Sequence, residues 1–506
     1  MCAPGILVGV TTPANSPEPS RLPDPDDPLA APALLARAQA GVEKLRGFLE
    51  PLARQFAARG ESLYLVGGPV RDAMLGRLGS DLDFTTSARP GVIAEILGQW
   101  GEKTWDTGIE FGTVSTVKHG QMVEVTTFRA DLYDGVTRNP EVTFGENIEG
   151  DLVRRDFACN AMAIELSLVD DALAPSFHDP VGGLNDVLRR RLDTPQAPEV
   201  SFRDDPLRML RAARFVSQLG FAVSDRVFEA MREMAPEINR ITVERVQAEL
   251  DKLMLGQRPW EGLDLLVDTG IAEHILPELP ALRLETDEHM QHKDVYRHSL
   301  TVLRQATELE EDGPDLELRW AALMHDIGKP ATRAPKEGGG VTFHHHEVVG
   351  AKMTRKRLRA LKYPKHVIED VGQLVYLHMR FHGFGEGQWT DSAVRRYVTD
   401  AGELLPRLHK LVRADCTTRN ARKAQRLQRT YDHLEERIAE LAAKEDLARV
   451  RPDLDGNEIM SILGLSPGPD VGRAWNFMKE LRLERGELPR EEAVAELKKW
   501  WEEDNG

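Results

Sequence analysis

"YLVGGPVRDAMLGRLGSDLDFTT" (residues 64–86) reads as strand, turn, short helix, turn and strand. Residues two apart on a strand share a face, so Asp81 and Asp83 project together while Leu82 and Phe84 go to the other side. Two carboxylates so close repel unless a cation lies between them. Their hard oxygens suit Mg²⁺, which shares its shell with phosphate. Further on, "MVEVTTF" (122–128) points Glu124 away from its two flanking valines. If that strand pairs near the first, three acids converge, as a two-metal phosphoryl-transfer site requires. Gly67 and Gly68 lack Cβ, so a phosphate can approach their backbone, and they precede a helix start whose free amides attract anions. Arg71, one turn into that helix, can reach the same phosphates, and Gly76 is the expected C′ residue. A D-x-D pair can also be a solvated edge and a Gly-Gly pair a plain turn. Their joint spacing, with Arg71-Asp72 between, favours the phosphoryl-transfer reading.

The surroundings are those of a large globular chain. Its 506 residues suffice for roughly two to four domains. A net charge of -17 excludes a protein that coats nucleic acid through bulk charge, although a local basic groove is compatible with it. Cys2, Cys159 and Cys416 are too scattered for a disulfide framework or zinc ribbon, which suits a cytoplasmic protein. No apolar run approaches the length that spans a bilayer, so no membrane association is expected. Residues 1–33, rich in Pro, Ser and Asp, read as a disordered leader. An amphipathic helix is expected over about 34–58, with Leu34, Leu35, Ala38, Leu45, Phe48 and Leu49 on one side. Short strands alternate with turns up to about 150; beyond 151 the strand pattern fades and helical periodicity takes over. Leu427, Tyr431, Leu434, Ile438 and Leu441 are spaced four and three apart, as in a coiled coil, but two heptads favour a helix packed on its own chain.

The opening stretch resembles the first motif of the tRNA nucleotidyltransferase/poly(A) polymerase family, bacterial class II, and further motifs follow in order. "DLVRRDFACNAMA" (151–163) matches an R-R-D-F-T-x-N-A block, departing from it at Ala158 and Cys159. "DPVGGLNDV" (179–187), "RDDPLRMLRAARF" (203–215, an E-D-x-x-R block with Asp204 where Glu is common) and "TVERVQAEL" (242–250) complete the set. The resemblance covers about 60–285. It implies an α+β nucleotidyltransferase head, a small sheet with helices as in DNA polymerase β-type enzymes, over 34–165. All-α parts are expected to follow: a neck and body (166–285), an HD domain (286–435) and a helical tail (436–506). By the same match Arg155, Asp156 and Asn160 would contact the nucleotide's phosphates and sugar, and Asp205 and Arg208 would read its base. Chemically, a carboxylate accepts from an exocyclic amino group while a guanidinium donates to a ring nitrogen. Cytosine and adenine offer that edge, whereas uracil and guanine present the opposite polarity. Placed at i and i+3, the two residues would share a helix face, with Arg211 and Arg214 continuing it. Asp205 before Pro206 can equally be an N-cap, and the two roles are compatible. Arg189, Arg190 and Arg191 offer a local basic path for RNA or a merely solvated patch.

A second constellation lies in "DVYRHSLTVL", "ALMHDIGKP", "FHHHEVVGA", "LVYLHMRFH" and "LVRADCTTRN". Imidazoles with carboxylates suit a transition metal such as Mn, Ni, Fe or Zn. The order resembles the HD phosphohydrolase superfamily. That resemblance makes His298, His325, Asp326 and Asp415 ligands of a first ion, with His346 and His378 completing a second or holding substrate phosphate. Lys329 could hold phosphate, while His344 and His345 read as solvated loop residues. In the tail, "GPDVG" opens a helix, as a plain turn or as an RNA phosphate contact.

These readings imply template-independent CCA addition to the acceptor end of tRNA from CTP and ATP, with Mg²⁺ in the head. "TWDTGIEFGTVSTVK" lacks the basic G-R-R-F element of the family's poly(A) polymerases, which favours CCA addition over the nearest rival. CC-only or A-only addition stays open, with the loop at about 129–147 a candidate for governing the switch to A. Other rivals are an HD-type phosphohydrolase acting on RNA ends or nucleotides, and a non-catalytic RNA-binding scaffold.

Overall fold

The computed structural model describes residues 22–105, 108–129, 144–145, 147–284, 294–335, 340–384, 389–417, 421–444 and 451–505. These residues form two compact units, one of 1–216 with 220–240 and one of 217–219 with 241–506.

The first unit holds a seven-stranded sheet of order β3 (Lys103–Trp105), β4 (Thr113–Lys118), β5 (Gln121–Thr127), β2 (Asp81–Thr86), β1 (Leu63–Val66), β6 (Ala163–Val169) and β7 (Ala172–His178). Its N-terminal helices are α1 (Ala30–Lys44) and α2 (Arg46–Ala57), so the single helix expected over 34–58 is two, separated at Leu45. The leader expected over 1–33 ends earlier than supposed, because α1 already begins at Ala30; residues 1–21 lie outside the described set. Strand β1 (Leu63–Val66) runs into α3 (Gly68–Met74) and then β2 (Asp81–Thr86), matching the opening motif. Helix α4 (Pro90–Trp100), β3 (Lys103–Trp105), β4 (Thr113–Lys118) and β5 (Gln121–Thr127) follow. Leu82 and Phe84 of β2 and Val123 and Val125 of β5 are buried, as the two-residue alternation requires.

After α5 (Ile148–Val153) the sheet resumes with β6 (Ala163–Val169) and β7 (Ala172–His178), contrary to the expected loss of strands beyond 151. The head boundary expected at 165 therefore falls inside a strand. The hairpin turns on Asp170 and Asp171 alone, both with positive φ (51° and 63°). Turns of this kind favour Asn-Gly, and Asp-Asp advertises them poorly. Helices α6 (Gly183–Leu188), α7 (Pro198–Asp204), α8 (Leu207–Leu219) and α9 (Asp225–Glu233) come next. The neck and body expected as one piece over 166–285 is divided between the two units.

Among the described residues the second unit is helical apart from a two-stranded ribbon of Ala334–Pro335 and Val341–Thr342. It begins with α10 (Val243–Met254), α11 (Pro259–Asp268), α12 (Ile271–Ile275) and α13 (Glu278–Ala281). The histidine-bearing segment contains α14 (Val295–Glu308), α15 (Leu316–Met324), α16 (Lys329–Thr332), α17 (His346–Ala360), α18 (Lys365–Leu377), α19 (Asp391–Ala401) and α20 (Leu405–Ala414). Arg319 is buried here, neutralised by Glu310 and donating to the carbonyls of Met254 and Gly256. Helix α21 (Ala421–Ala442) buries Tyr431, Leu434 and Leu441 and runs through the boundary expected at 435. The last helices, α22 (Gly456–Leu463), α23 (Pro469–Arg485) and α24 (Arg490–Asn505), share a small core that includes Ile459, Met478 and Leu497. Among the described residues no helix is long and apolar enough to cross a membrane.

Candidate functional site

In the first unit β2 and β5 pair in parallel with Asp83 opposite Glu124 and Asp81 opposite Met122. Side chains at paired positions of a parallel ladder point the same way, so Asp81, Asp83 and Glu124 lie on one exposed face. Ser115 on β4 donates its hydroxyl to Glu124 at 3.2 Å. The Asp83 carboxyl is held above its ordinary value: surrounding protein desolvates it even though part of its surface meets water. The charges of Glu124 and Asp81 reinforce the rise, while Arg155 opposes it.

Gly67 joins β1 to α3 with φ 74°, and a Cβ there would stand 2.9 Å from Arg155 Nη1. The turn is thus bare backbone facing a guanidinium. Arg155 donates Nη2 to Asp151 at 3.1 Å, and its buried Nε makes no hydrogen bond. Arg71 is buried and committed: Nη1 meets Asn160 at 2.5 Å, while Nε and Nη2 grip Asp72 at 3.1 and 3.0 Å. It ties the first motif to the R-R-D-F block rather than standing free beside Gly68. Asn160 in turn donates to Asp156 at 3.2 Å, and Asp156 receives Arg211 through Nε (2.8 Å) and Nη2 (2.5 Å). Burial pushes the Asp156 carboxyl up, but Arg211 outweighs it and holds the group well below the usual carboxylate range. Arg214 is buried with its guanidinium 4.3 Å from the Phe215 ring centre.

Asp205 and Arg208 do not share a helix. Asp205 is extended (φ −143°) at the end of α7, because a residue before proline is excluded from the helical region. Its carboxylate accepts the Leu207 amide at 3.1 Å, so it does cap α8. Arg208 in the first turn of α8 is aimed by two hydrogen bonds, to Ser201 Oγ and to the Arg154 carbonyl, both at 2.8 Å. Neither of those partners was singled out from the sequence, which marks no backbone acceptor. Arg191 pairs with Asp186, and Arg189 reaches Asp26 at 3.5 Å. Most of the loop at 129–147 lies outside the described residues.

The second unit gathers every expected metal ligand. Donor atoms of His298, His325 and Asp326 lie within 4.8 Å of one another, as do those of Asp326, His346 and His378. Asp326 thus belongs to both groups, a sharing not foreseen from the sequence. Asp415 Oδ1 stands 3.0 Å from His298 Nε2 and 3.6 Å from His325 Nε2. The Nδ1 atoms of His325, His346 and His378 meet carbonyls three residues back, those of Ala322, Phe343 and Val375, at 2.9, 2.8 and 2.6 Å. A carbonyl only accepts, so these Nδ1 atoms carry the proton and Nε2 faces the centre. His298 Nδ1 meets Thr417 Oγ1 at 3.1 Å. Buried His378 Nε2 has no hydrogen bond, and burial beside His325 pushes its pKa down to about 3. For His325 burial acts downward too, but Asp326 and Asp415 outweigh it and raise the pKa to about 9. An unprotonated, unpartnered imidazole facing carboxylates is what a cation requires. Gly328 lets the "HDIGKP" turn close on α17, since a Cβ there would meet the His346 carbonyl at 2.2 Å. Lys329 is engaged with Asp326 at 2.9 Å, and His344 and His345 are exposed, as expected.

Family models match three stretches: the Poly A polymerase head domain over 63–193, the probable RNA and SrmB-binding site of polymerase A over 220–282, and the HD domain over 295–443. The A-adding tRNA nucleotidyltransferase of Deinococcus radiodurans is 33% identical over 453 residues, 87% of this chain and 96% of that protein. The CCA-adding enzyme of Geobacillus thermodenitrificans is 36% identical over 323 residues, 64% of this chain and 68% of its own. The structure of the Bacillus stearothermophilus CCA-adding enzyme in complex with CTP superimposes with a TM-score of 0.64 at 28% identity, over 90% of this chain and 98% of that one.

Proposed function

This chain belongs to the tRNA nucleotidyltransferase/poly(A) polymerase family and carries an HD domain, and from that premise we propose that it adds CCA to tRNA 3′ ends from CTP and ATP without a template. The observation that carries the reading is the parallel register of Asp83 and Glu124, which sets a third acid beside the D-x-D pair. Asp81 and Asp83 are suited to hold Mg²⁺, which when bound offsets the charge of the triphosphate and of the departing pyrophosphate. Glu124 orients or deprotonates the primer 3′-OH. The bare backbone of Gly67 and Gly68, with Arg155 Nη1 beside it, receives triphosphate oxygens. Asp205 and Arg208 read the amino group and ring nitrogen shared in polarity by cytosine and adenine. Asp156, Asn160, Arg71 and Arg211 form the network beneath them. In the second unit His298, His325, Asp326 and Asp415 suit one divalent transition metal, with Asp326, His346 and His378 suiting a second.

One relative aligned over nearly its whole length is an A-adding enzyme, which favours a second reading in which this chain supplies only part of CCA. Incubation of the purified chain with tRNA ending before CCA, and with tRNA ending in CC, separates the two. CTP and ATP are given singly and together. Completion of CCA on the shorter substrate supports the first reading; addition of a lone A only to the CC-ended substrate supports the second. Long A tails from ATP alone would overturn both.

A further inference from the structure

We propose that Asp151 is a positioning residue for nucleotide binding, one buried carboxylate that fixes both the triphosphate arginine and the base-reading arginine. The inference rests on the nucleotide-binding part of the reading above. Asp151 lies in α5, which docks Ile148 and Leu152 into a core with Tyr64, Val66 and Phe128. The carboxylate is only 1% exposed. Oδ2 accepts Arg155 Nη2 at 3.1 Å; Oδ1 accepts Arg154 Nη2 and the Arg129 amide, both at 3.3 Å. Burial pushes the carboxyl up, yet Arg155 and Arg154 outweigh that and keep it below its ordinary value.

Three consequences meet in this residue. Its bond to Arg155 engages Nη2 and leaves the neighbouring Nη1 beside the bare Gly67 turn. Its bond to the Arg154 side chain steadies the peptide whose carbonyl accepts Arg208 Nη2 at 2.8 Å. Its bond to the Arg129 amide anchors the chain just beyond β5, the strand that bears Glu124. A buried charge is a poor device for stability alone, since apolar residues of similar volume commonly serve as well. A carboxylate at this position makes sense if two arginines have to be held at fixed points, as rigid support of a binding group by its neighbours requires.

The test is Asp151→Asn in the full chain, with CTP binding measured calorimetrically without tRNA and steady-state kinetics with CTP and ATP. The expected result is a rise in Kd and in both KM values of about tenfold or more, the scale of one lost charge-assisted hydrogen bond, with kcat changing less. A double-mutant cycle with Arg155→Gln supplies the second readout: if Asp151 acts through Arg155, the two losses do not add. If Asp151→Asn fails to fold, Asp151→Glu keeps the charge but displaces it by one methylene, and the same rise in Kd and KM is expected. Unchanged Kd and KM with a lower kcat, or full additivity with Arg155→Gln, would overturn the proposal. A wild-type chain that binds CTP but transfers nothing would defeat the proposed function and leave the binding test of Asp151 standing.

Discussion

Asp156 illustrates what one residue contributes. It is buried, accepts two donors of Arg211 and one of Asn160, and so joins the R-R-D-F block to α8. Its folded-state pKa lies below the ordinary value near 3.9, so its stabilisation is fully present above that pH and is lost as pH falls through the lower folded value. Asp156→Asn should therefore cost about 3 kcal/mol at pH 7, the range for breaking a buried pair. The variant should also lose less stability than wild type between about pH 4 and pH 2, read by urea denaturation at each pH. The sequence allowed a nucleotide contact at this position but not its partner, because a pair 55 residues apart leaves no local spacing to read. Asp81 and Asp83 are the opposite case: strand alternation is local, and it sets their common direction without knowledge of the rest of the chain.

At the scale of elements, proline and glycine decide what spacing alone does not. Pro206 expels Asp205 from the helix that an i, i+3 reading requires, and the capping role survives because it needs that extended conformation. Gly328 has a comparable effect in the second unit, admitting α17 to within contact of the turn after His325-Asp326. Gly328→Ala should force that turn and α17 apart, costing about 1–3 kcal/mol as overpacking does. It should also weaken metal uptake, measured by metal titration of the folded variant, since His346 would move away from Asp326. The pairing of β2 with β5, which brings Glu124 to the aspartates, is not readable from either strand alone. It depends on a connection through α4, β3 and β4, whereas the pleat of each strand is written in its own residues.

Across the whole molecule the acidic cluster on β2 and β5 and the cluster of histidines and aspartates lie in different units. Asp81→Ala with Asp83→Ala should abolish nucleotide addition by at least about a hundredfold while leaving transition-metal content intact. His325→Ala with Asp326→Ala should do the reverse, emptying the second centre while addition to tRNA persists. Elemental analysis beside the transfer assay checks both halves. The motifs of both units were legible because each is short and ordered along the chain; the division of 166–285 between the units was not, because helical periodicity runs through it unchanged. The three imidazoles whose inner protons rest on carbonyls three residues back carry a last consequence. Their tautomers are dictated by local main-chain turns, so the coordination shell is assembled by folding and not by the guest. Such a socket offers its donors at set positions, so geometry and donor type, together with supply, decide which divalent ion settles there.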